Sequence, residues 1–260
     1  MGRTYVVTGS ASGIGRATAE LLTSQGNTVI GVDIHDADIT VDLTTAGGRS
    51  AMVSDAARLS GGSIDAVLAI AGLAHPIPAT VGVNFFGMVA TLEGLRPLLA
   101  GSAAPRAAAI SSMASLFPVD AALVDACLAL DEPAALARAA VLAENPTTTG
   151  GMIYSSTHQA FARWIRRNAA TPDWAGAGIP LNAIAPGIIA TPMTADLTAT
   201  AEGRTQILTM VPMPLNGIAE PIATARLLAW LTGEENTHLC GQVIFIDGGS
   251  DVVIRGDSTW

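Results

Sequence analysis

Lysine is missing from this chain, and all 13 of its basic residues are arginine. Any chemistry that needs a lysine side chain is therefore excluded. The arginines are outnumbered by 22 acidic residues, which leaves a net charge of −9 and a pI near 4.7. They are scattered rather than gathered into a patch, which argues against a nucleic-acid partner and against an anionic membrane surface. Cysteine is scarce: Cys127 and Cys240 lie far apart with no C-x-x-C spacing. This pattern reads as two reduced, buried thiols in a cytosolic protein rather than a disulfide framework. No run of about 18 apolar residues exists, so no membrane span is expected. The start, Met1-Gly2-Arg3 into Tyr5-Val6-Val7, has no charged-then-apolar targeting pattern, and the expected location is cytoplasmic. His35, His75 and His238 are isolated, and nothing has metal-ligand spacing, so no metal is expected.

What is present is apolar and regular. At 50% hydrophobic, 260 residues can fill a full core without staples and are not disordered. Short β-branched runs alternate with longer Ala- and Leu-rich ones, which reads as βαβ units around a parallel sheet. Strands are expected at Arg3–Thr8, Thr28–Asp33, Ile39–Asp42, Ile64–Ala71, Ala107–Ser111, Ile179–Ala185 and Gln242–Ile246. Helices are expected at Gly13–Gln25, Pro78–Leu99, Tyr154–Ala169 and Glu220–Leu231. Gly26-Asn27 supplies the C-terminal cap of the first helix. The fold class is α/β, a Rossmann-type doubly wound parallel sheet in one domain over residues 1–260. A helical segment is inserted at about 116–150, and a loop at about 188–218 is rich in Thr-Pro, Met-Pro and methionine. Long connections of this kind are usually functional.

The strongest local signal is Thr8-Gly9-Ser10-Ala11-Ser12-Gly13-Ile14-Gly15, directly after the first strand. Glycines allow a tight turn and close approach of backbone to a pyrophosphate, and the helix that follows offers free N–H groups and a positive dipole end. Asp33 ends the second strand, placed to receive the adenosine ribose hydroxyls. Its carboxylate would repel a 2′-phosphate and no arginine directly follows it, so NAD is favoured over NADP.

With these features the chain resembles the short-chain dehydrogenase/reductase family over essentially its whole length. Further matching elements are Asp42-Leu43, Ala71-Gly72, Asn84, Ser111-Ser112, Tyr154 and Pro186-Gly187 with Thr191. Within the family it is most similar to the bacterial 3α-hydroxysteroid dehydrogenase/carbonyl reductase group. The likeness rests on Val83-Asn-Phe-Phe-Gly87, Ile110-Ser-Ser-Met-Ala-Ser115, Leu181-Asn-Ala-Ile-Ala-Pro-Gly187, Ile246-Asp-Gly-Gly249 and the long connection between Ser112 and Tyr154. Coniferyl-alcohol dehydrogenases resemble the same group. The resemblance implies that Tyr154 exchanges a proton with the substrate oxygen, that Ser112 orients that oxygen, and that Asn84 holds a water relay. It also implies that Asp42-Leu43 meets the adenine and that Thr191 and the backbone at Ile189 hold the carboxamide. Homodimers or homotetramers are the family's habit.

One position departs from the pattern. Where the family has Tyr-x-x-x-Lys, this chain has Tyr154-Ser-Ser-Thr-His158. Spacing of four puts both side chains on one helical face. The family's lysine binds the nicotinamide ribose and its charge lowers the tyrosine pKa. An unperturbed histidine titrates near 6.5 and an unperturbed tyrosine near 10, so His158 would be largely uncharged at neutral pH. It could still hydrogen-bond the ribose or pass a proton. Three readings stay open: a working NAD-dependent enzyme with an altered pH profile, an impaired NAD-binding sensor or partner protein, or a chance or deliberate change in an ordinary enzyme.

The loop residues Ile188, Ile189, Met193, Leu197, Met210, Val211, Met213 and Leu215, with Leu116-Phe117-Pro118, offer an apolar wall suited to a small hydrophobic substrate. The insertion is expected as a helix over Asp120–Glu144 with Leu123, Cys127, Leu130, Leu136 and Leu142 as its stripe, a satellite element or a subunit contact.

Overall fold

A computed structural model describes residues 2–258; Met1, at the head of the stretch read above for a targeting pattern, lies outside them. Seven parallel strands form one sheet in the order β3-β2-β1-β4-β5-β6-β7. They are β1 (Thr4–Thr8), β2 (Thr28–Asp33), β3 (Ile39–Thr40), β4 (Ala66–Ala69), β5 (Arg106–Ile110), β6 (Leu181–Pro186) and β7 (Val243–Ile246). The order reverses between β1 and β4, and ligands of open parallel sheets bind beyond the strand C-termini at such a reversal. Strands β4, β5 and β6 are buried throughout, as strands covered on both faces must be.

The helices are α1 (Gly13–Ser24), α2 (Ala46–Ser60), α3 (Pro78–Val81), α4 (Met88–Leu95), α5 (Ala121–Leu128), α6 (Glu132–Ala143), α7 (Gly151–Asn168), α8 (Ala195–Thr198), α9 (Ala201–Met210), α10 (Pro221–Leu231) and α11 (Ser250–Arg255). Alternation along β1 feeds two cores. Tyr5 and Val7 pack with Leu22 of α1 and Leu228 and Leu231 of α10 on one face. Val6 packs on the other with Met52 of α2, Leu92 and Leu95 of α4, and Phe161 and Ile165 of α7. Helix α1 ends as its sequence promises. Gly26 takes a positive φ of 84°, its N–H donates to Thr23, and that of Asn27 donates to Leu22.

Several elements differ from the sequence reading. Helix α2 was not expected, because Gly47-Gly48 and its mixed polar content blur any apolar face; a Thr45 side-chain cap and Gly61 in left-handed geometry define its ends. The third strand is only Ile39–Thr40. The helix foreseen over Pro78–Leu99 is interrupted, with Gly82–Gly87 wound as a π-helix between α3 and α4. The insertion is two helices, broken at Leu130, whose φ of 58° no helix tolerates. Leu130 is consequently exposed, whereas Leu123, Cys127 and Leu142 are buried. Helix α7 begins at Gly151, so Tyr154 stands a turn inside it rather than opening it. Both cysteines are free, Cys127 buried and Cys240 half-buried.

The insertion is tied to the main domain by a charge. The mostly buried Arg49 of α2 makes a two-pronged ion pair with Glu132 of α6 at 2.5 and 2.8 Å. It also donates to the carbonyls of Leu43 at 2.8 Å and Thr44 at 3.0 Å. Glu132→Ala leaves this guanidinium short of its acceptors, which costs about 1–3 kcal/mol. At roughly 2–4 °C of Tm per kcal/mol in a chain of this size, the melting temperature falls by several degrees. A Glu132→Ala melt superimposed on the wild type would show that the pair stabilises nothing.

Candidate active site

The C-terminal ends of β1, β4, β5 and β6 and helix α7 converge on one place. After β1 the chain turns through Gly9, whose φ of 71° is left-handed, and Gly13, at 52°. A Cβ on Gly15 would fall 2.0 Å from the carbonyl oxygen of Gly9, so only glycine lets α1 start so near the strand. Ser12 precedes α1 without a side-chain cap, and no acid occupies the first turn, with half-buried Ile14 packing beneath. The leading N–H groups of α1 are thus left for a ligand anion. Asp33 is fixed against this turn, its carboxylate accepting from the N–H of Ala11 at 3.0 Å and of Ile34 at 2.7 Å. These features fit a dinucleotide: bare helix N–H groups, a turn too tight for side chains, and a fixed carboxylate at the end of β2.

The other expected cofactor residues gather around the same turn. Ala71, after β4, donates its N–H to Thr8 at 3.1 Å, and a Cβ on Gly9 would meet Ala71 at 3.0 Å. Gly72 lies against the Asn84 side chain. Pro186 ends β6, and Gly187 donates to Ile246 at 3.1 Å. Ile189 is buried and Thr191 packs on Gly13, closing the loop after β6 over the glycine turn. Asp42 and Leu43 are partly engaged elsewhere: the Asp42 carboxylate accepts from the N–H and hydroxyl of Thr44, and the Leu43 side chain is buried.

Four polar side chains gather beside this turn. Ser112 follows β5 and caps the short turn Met113–Leu116, its oxygen accepting from Ala114 N–H at 3.1 Å. Its own proton remains free to donate. The neighbouring Ser111 donates to the His158 carbonyl at 3.2 Å and so pins α7 to the sheet. The Tyr154 and His158 rings pack edge to face, centroids 4.4 Å apart. Burial pushes the Tyr154 phenol above its ordinary value, and the Ser112 hydroxyl pulls it part of the way back. Burial alone drives His158 down to about 3. Only 2% of its surface is exposed, and its Nδ1 has no partner. Asn84 sits in the π-helix, accepting from Leu73 N–H and donating to Leu73 carbonyl, both at 2.8 Å. It approaches His158 Nε2 at 3.5 Å.

A family model described as enoyl-(acyl carrier protein) reductase matches residues 9–251. The 3α-hydroxysteroid dehydrogenase/carbonyl reductase of Comamonas testosteroni is 34% identical over 96% of this chain and 97% of its own. This chain belongs to the short-chain dehydrogenase/reductase family. The cis-4-hydroxycyclohexanecarboxylate dehydrogenase of Sinomonas cyclohexanicum is 29% identical over 96% of this chain and 97% of its own length. Among solved structures, the 3α-hydroxysteroid dehydrogenase of Pseudomonas sp. B-0831 complexed with NADH is 37% identical. It covers 98% of this chain and 99% of its own with a TM-score of 0.85. The family's members are oxidoreductases that use NAD(H) or NADP(H), and the Rossmann sheet expected from the sequence is the sheet this short-chain dehydrogenase/reductase has.

Two features of this family member escaped the sequence reading. Leu73, which holds both ends of the Asn84 amide, acts through its backbone and leaves no trace in residue type. The apolar loop divides: Ile189, Val211 and Met213 are buried with Met113, whereas Met193, Leu197, Met210 and Leu215 face outward, Leu215 at 68% exposure. Half of the expected lining is therefore surface. Among the described residues, no helix is long and apolar enough to cross a membrane.

The depressed His158 pKa has a measurable consequence. Between about 6.5, the unfolded value, and about 3, the unfolded chain binds a proton at this residue that the folded chain refuses. Stability is therefore lost as pH falls through that window, by up to about 1.4 kcal/mol per pH unit, and is unaffected above it. Urea unfolding of wild type and His158→Gln should show a stability difference that is constant above pH 7 and shifts against the wild type below 6. A difference independent of pH would mean that His158 is not held neutral.

Proposed function

We propose that this protein is an NAD-dependent alcohol dehydrogenase/carbonyl reductase acting on an apolar secondary alcohol and its ketone. The observation that carries this reading is the Tyr154 ring packed edge to face on buried His158, with Ser112 lowering the Tyr154 pKa, and with the Asn84 that approaches His158 linked through Ala71–Leu73 to the bare N-terminus of α1. Gly9, Ser12, Gly13, Ile14 and Gly15 would receive the pyrophosphate, and Asp33, with Asp42-Leu43, the adenosine half. Ala71, Gly72, Pro186, Gly187, Ile189 and Thr191 surround the place for the nicotinamide half. The dinucleotide, when bound, supplies or accepts the hydride.

The chain's own residues handle the proton and the orientation. In reduction Tyr154 donates its phenolic proton to the carbonyl oxygen, and in oxidation its phenolate takes the alcohol proton. Ser112, whose Oγ accepts one bond from Ala114 N–H, offers its O–H to the same oxygen. Asp33 disfavours a second negative group beside it, which supports NAD over its 2′-phosphorylated form. The nonpolar character of Met113, Phe117, Ile188, Val211 and Met213 beyond Ser112 supports a hydrophobic ring substrate. The names of the Comamonas and Pseudomonas relatives point the same way.

Among the described residues, no charged side chain shifts Tyr154 or His158. Nothing therefore offsets the effect of burial on the phenol except Ser112. Oxidation needs phenolate, so its log kcat/KM should rise with a slope of about 1 up to pH 10, without a plateau. Ketone reduction by NADH should stay flat over the same range, and Tyr154→Phe should lower both by about 10²-fold or more. A plateau near pH 8 would mean that a cation acts on Tyr154. NADH binding without turnover on any ketone of a ring-substrate panel would favour a sensor or partner protein instead.

A further inference from the structure

We infer that the Leu73 backbone and the Asn84 side chain lock His158 as the Nδ1–H tautomer, making it a neutral one-proton donor to a hydroxyl oxygen that none of the described residues supplies. The N–H of Leu73 can only donate, so the Asn84 atom facing it at 2.8 Å is the carbonyl oxygen Oδ1. The Leu73 carbonyl can only accept, so the atom facing it, also at 2.8 Å, is the amide Nδ2. The Asn84 amide is thereby fixed in one orientation, and its second Nδ2 proton is the one turned to His158 Nε2 at 3.5 Å. Nε2 must then carry the lone pair. The imidazole is buried with no acid against it, so its single proton lies on Nδ1.

That Nδ1 proton has no acceptor among the described residues and no access to bulk water. A buried donor without a partner is costly, and a missing water or ligand is the usual resolution. The acceptor must be small, neutral and able to reach a closed site. A hydroxyl oxygen fits, from a trapped water or from a ribose of the bound cofactor; the second source rests on the dinucleotide reading above, the tautomer does not. Asn84 becomes a positioning residue. It acts on the chemistry through which nitrogen of His158 is protonated, and the side chain works without ever being charged.

The test is 15N NMR of the full chain labelled at histidine, with His158 assigned by its loss in His158→Gln. The ligand-free wild type should show a pyrrole-type Nδ1 and a pyridine-type Nε2. The reverse pattern, or two equivalent protonated nitrogens, overturns the inference without any variant. Asn84→Asp presents a carboxylate to Nε2, so its His158 should move to the Nε2–H form or become doubly protonated; an unchanged spectrum would overturn the role of Asn84. Adding NADH to the wild type separates the two sources. A saturable shift of Nδ1 assigns the acceptor to the ribose, and an unshifted Nδ1 in protein that binds NADH assigns it to water. If NADH fails to bind at all, the dinucleotide reading fails while the tautomer stands on the ligand-free spectrum.

Discussion

A Cβ on Gly15 would lie 2.0 Å from the carbonyl oxygen of Gly9, so α1 can start where it does only because position 15 carries no side chain. That start point sets the rest. It presents the uncapped N-terminus of α1 at the reversal of strand order, beside the ends of β1 and β4. It also leaves Gly13 bare for Thr191 to pack against, which draws the loop after β6 over the turn. The same closeness brings Ala71 onto Gly9, and from Ala71 it is two residues to Leu73, the backbone that grips Asn84. The glycine turn and the polar quartet are thus parts of one continuous contact chain rather than two neighbouring sites.

The quartet solves a problem of burial without charge. An ammonium at position 158 would need compensation in a site where, among the described residues, no acidic side chain acts, and an uncompensated buried cation is costly. A neutral imidazole carries little of that burden and packs its ring edge against Tyr154. What is given up is electrostatic. Nothing positive stands by to favour the phenolate, so the pKa of Tyr154 follows its burial upward. The site thus keeps the Tyr154 phenol in its protonated form.

How much of this could be read from residues alone follows the distance over which each feature is decided. The β1–glycine turn–α1–β2 unit is legible to within a residue or two because strand composition, turn glycines and the Gly26-Asn27 cap are all local. Helix α2 is not, since its face is broken by Gly47-Gly48 and its stability comes from Met52 and Ala56 meeting the sheet. The π-helical turn at Gly82–Gly87 keeps ordinary helical residue types, so periodicity passes over it even though it aims Asn84. Tyr154 and His158 share a face as their spacing requires, but their depth in the protein, which decides both pKa shifts, is a tertiary fact. The apolar loop looked uniform in sequence; the fold buries Val211 and Met213 and leaves Met210 and Leu215 outside.

The insertion shows why such long-range features matter to function. Arg49 and Glu132 are 83 positions apart, and nothing in either neighbourhood announces the pair. Yet the guanidinium that holds Glu132 also holds the carbonyls of Leu43 and Thr44 and stacks over Phe86 of the π-helix at 5.9 Å. One side chain therefore spans the loop after β3, the turn that carries Asn84 and the first residue of α6. On the other side the insertion is anchored by Asp120, whose N–H donates to Ser156 of α7 at 2.8 Å and whose carboxylate pairs with Arg138. The two added helices are bound at both ends to the elements that carry Asn84 and Tyr154.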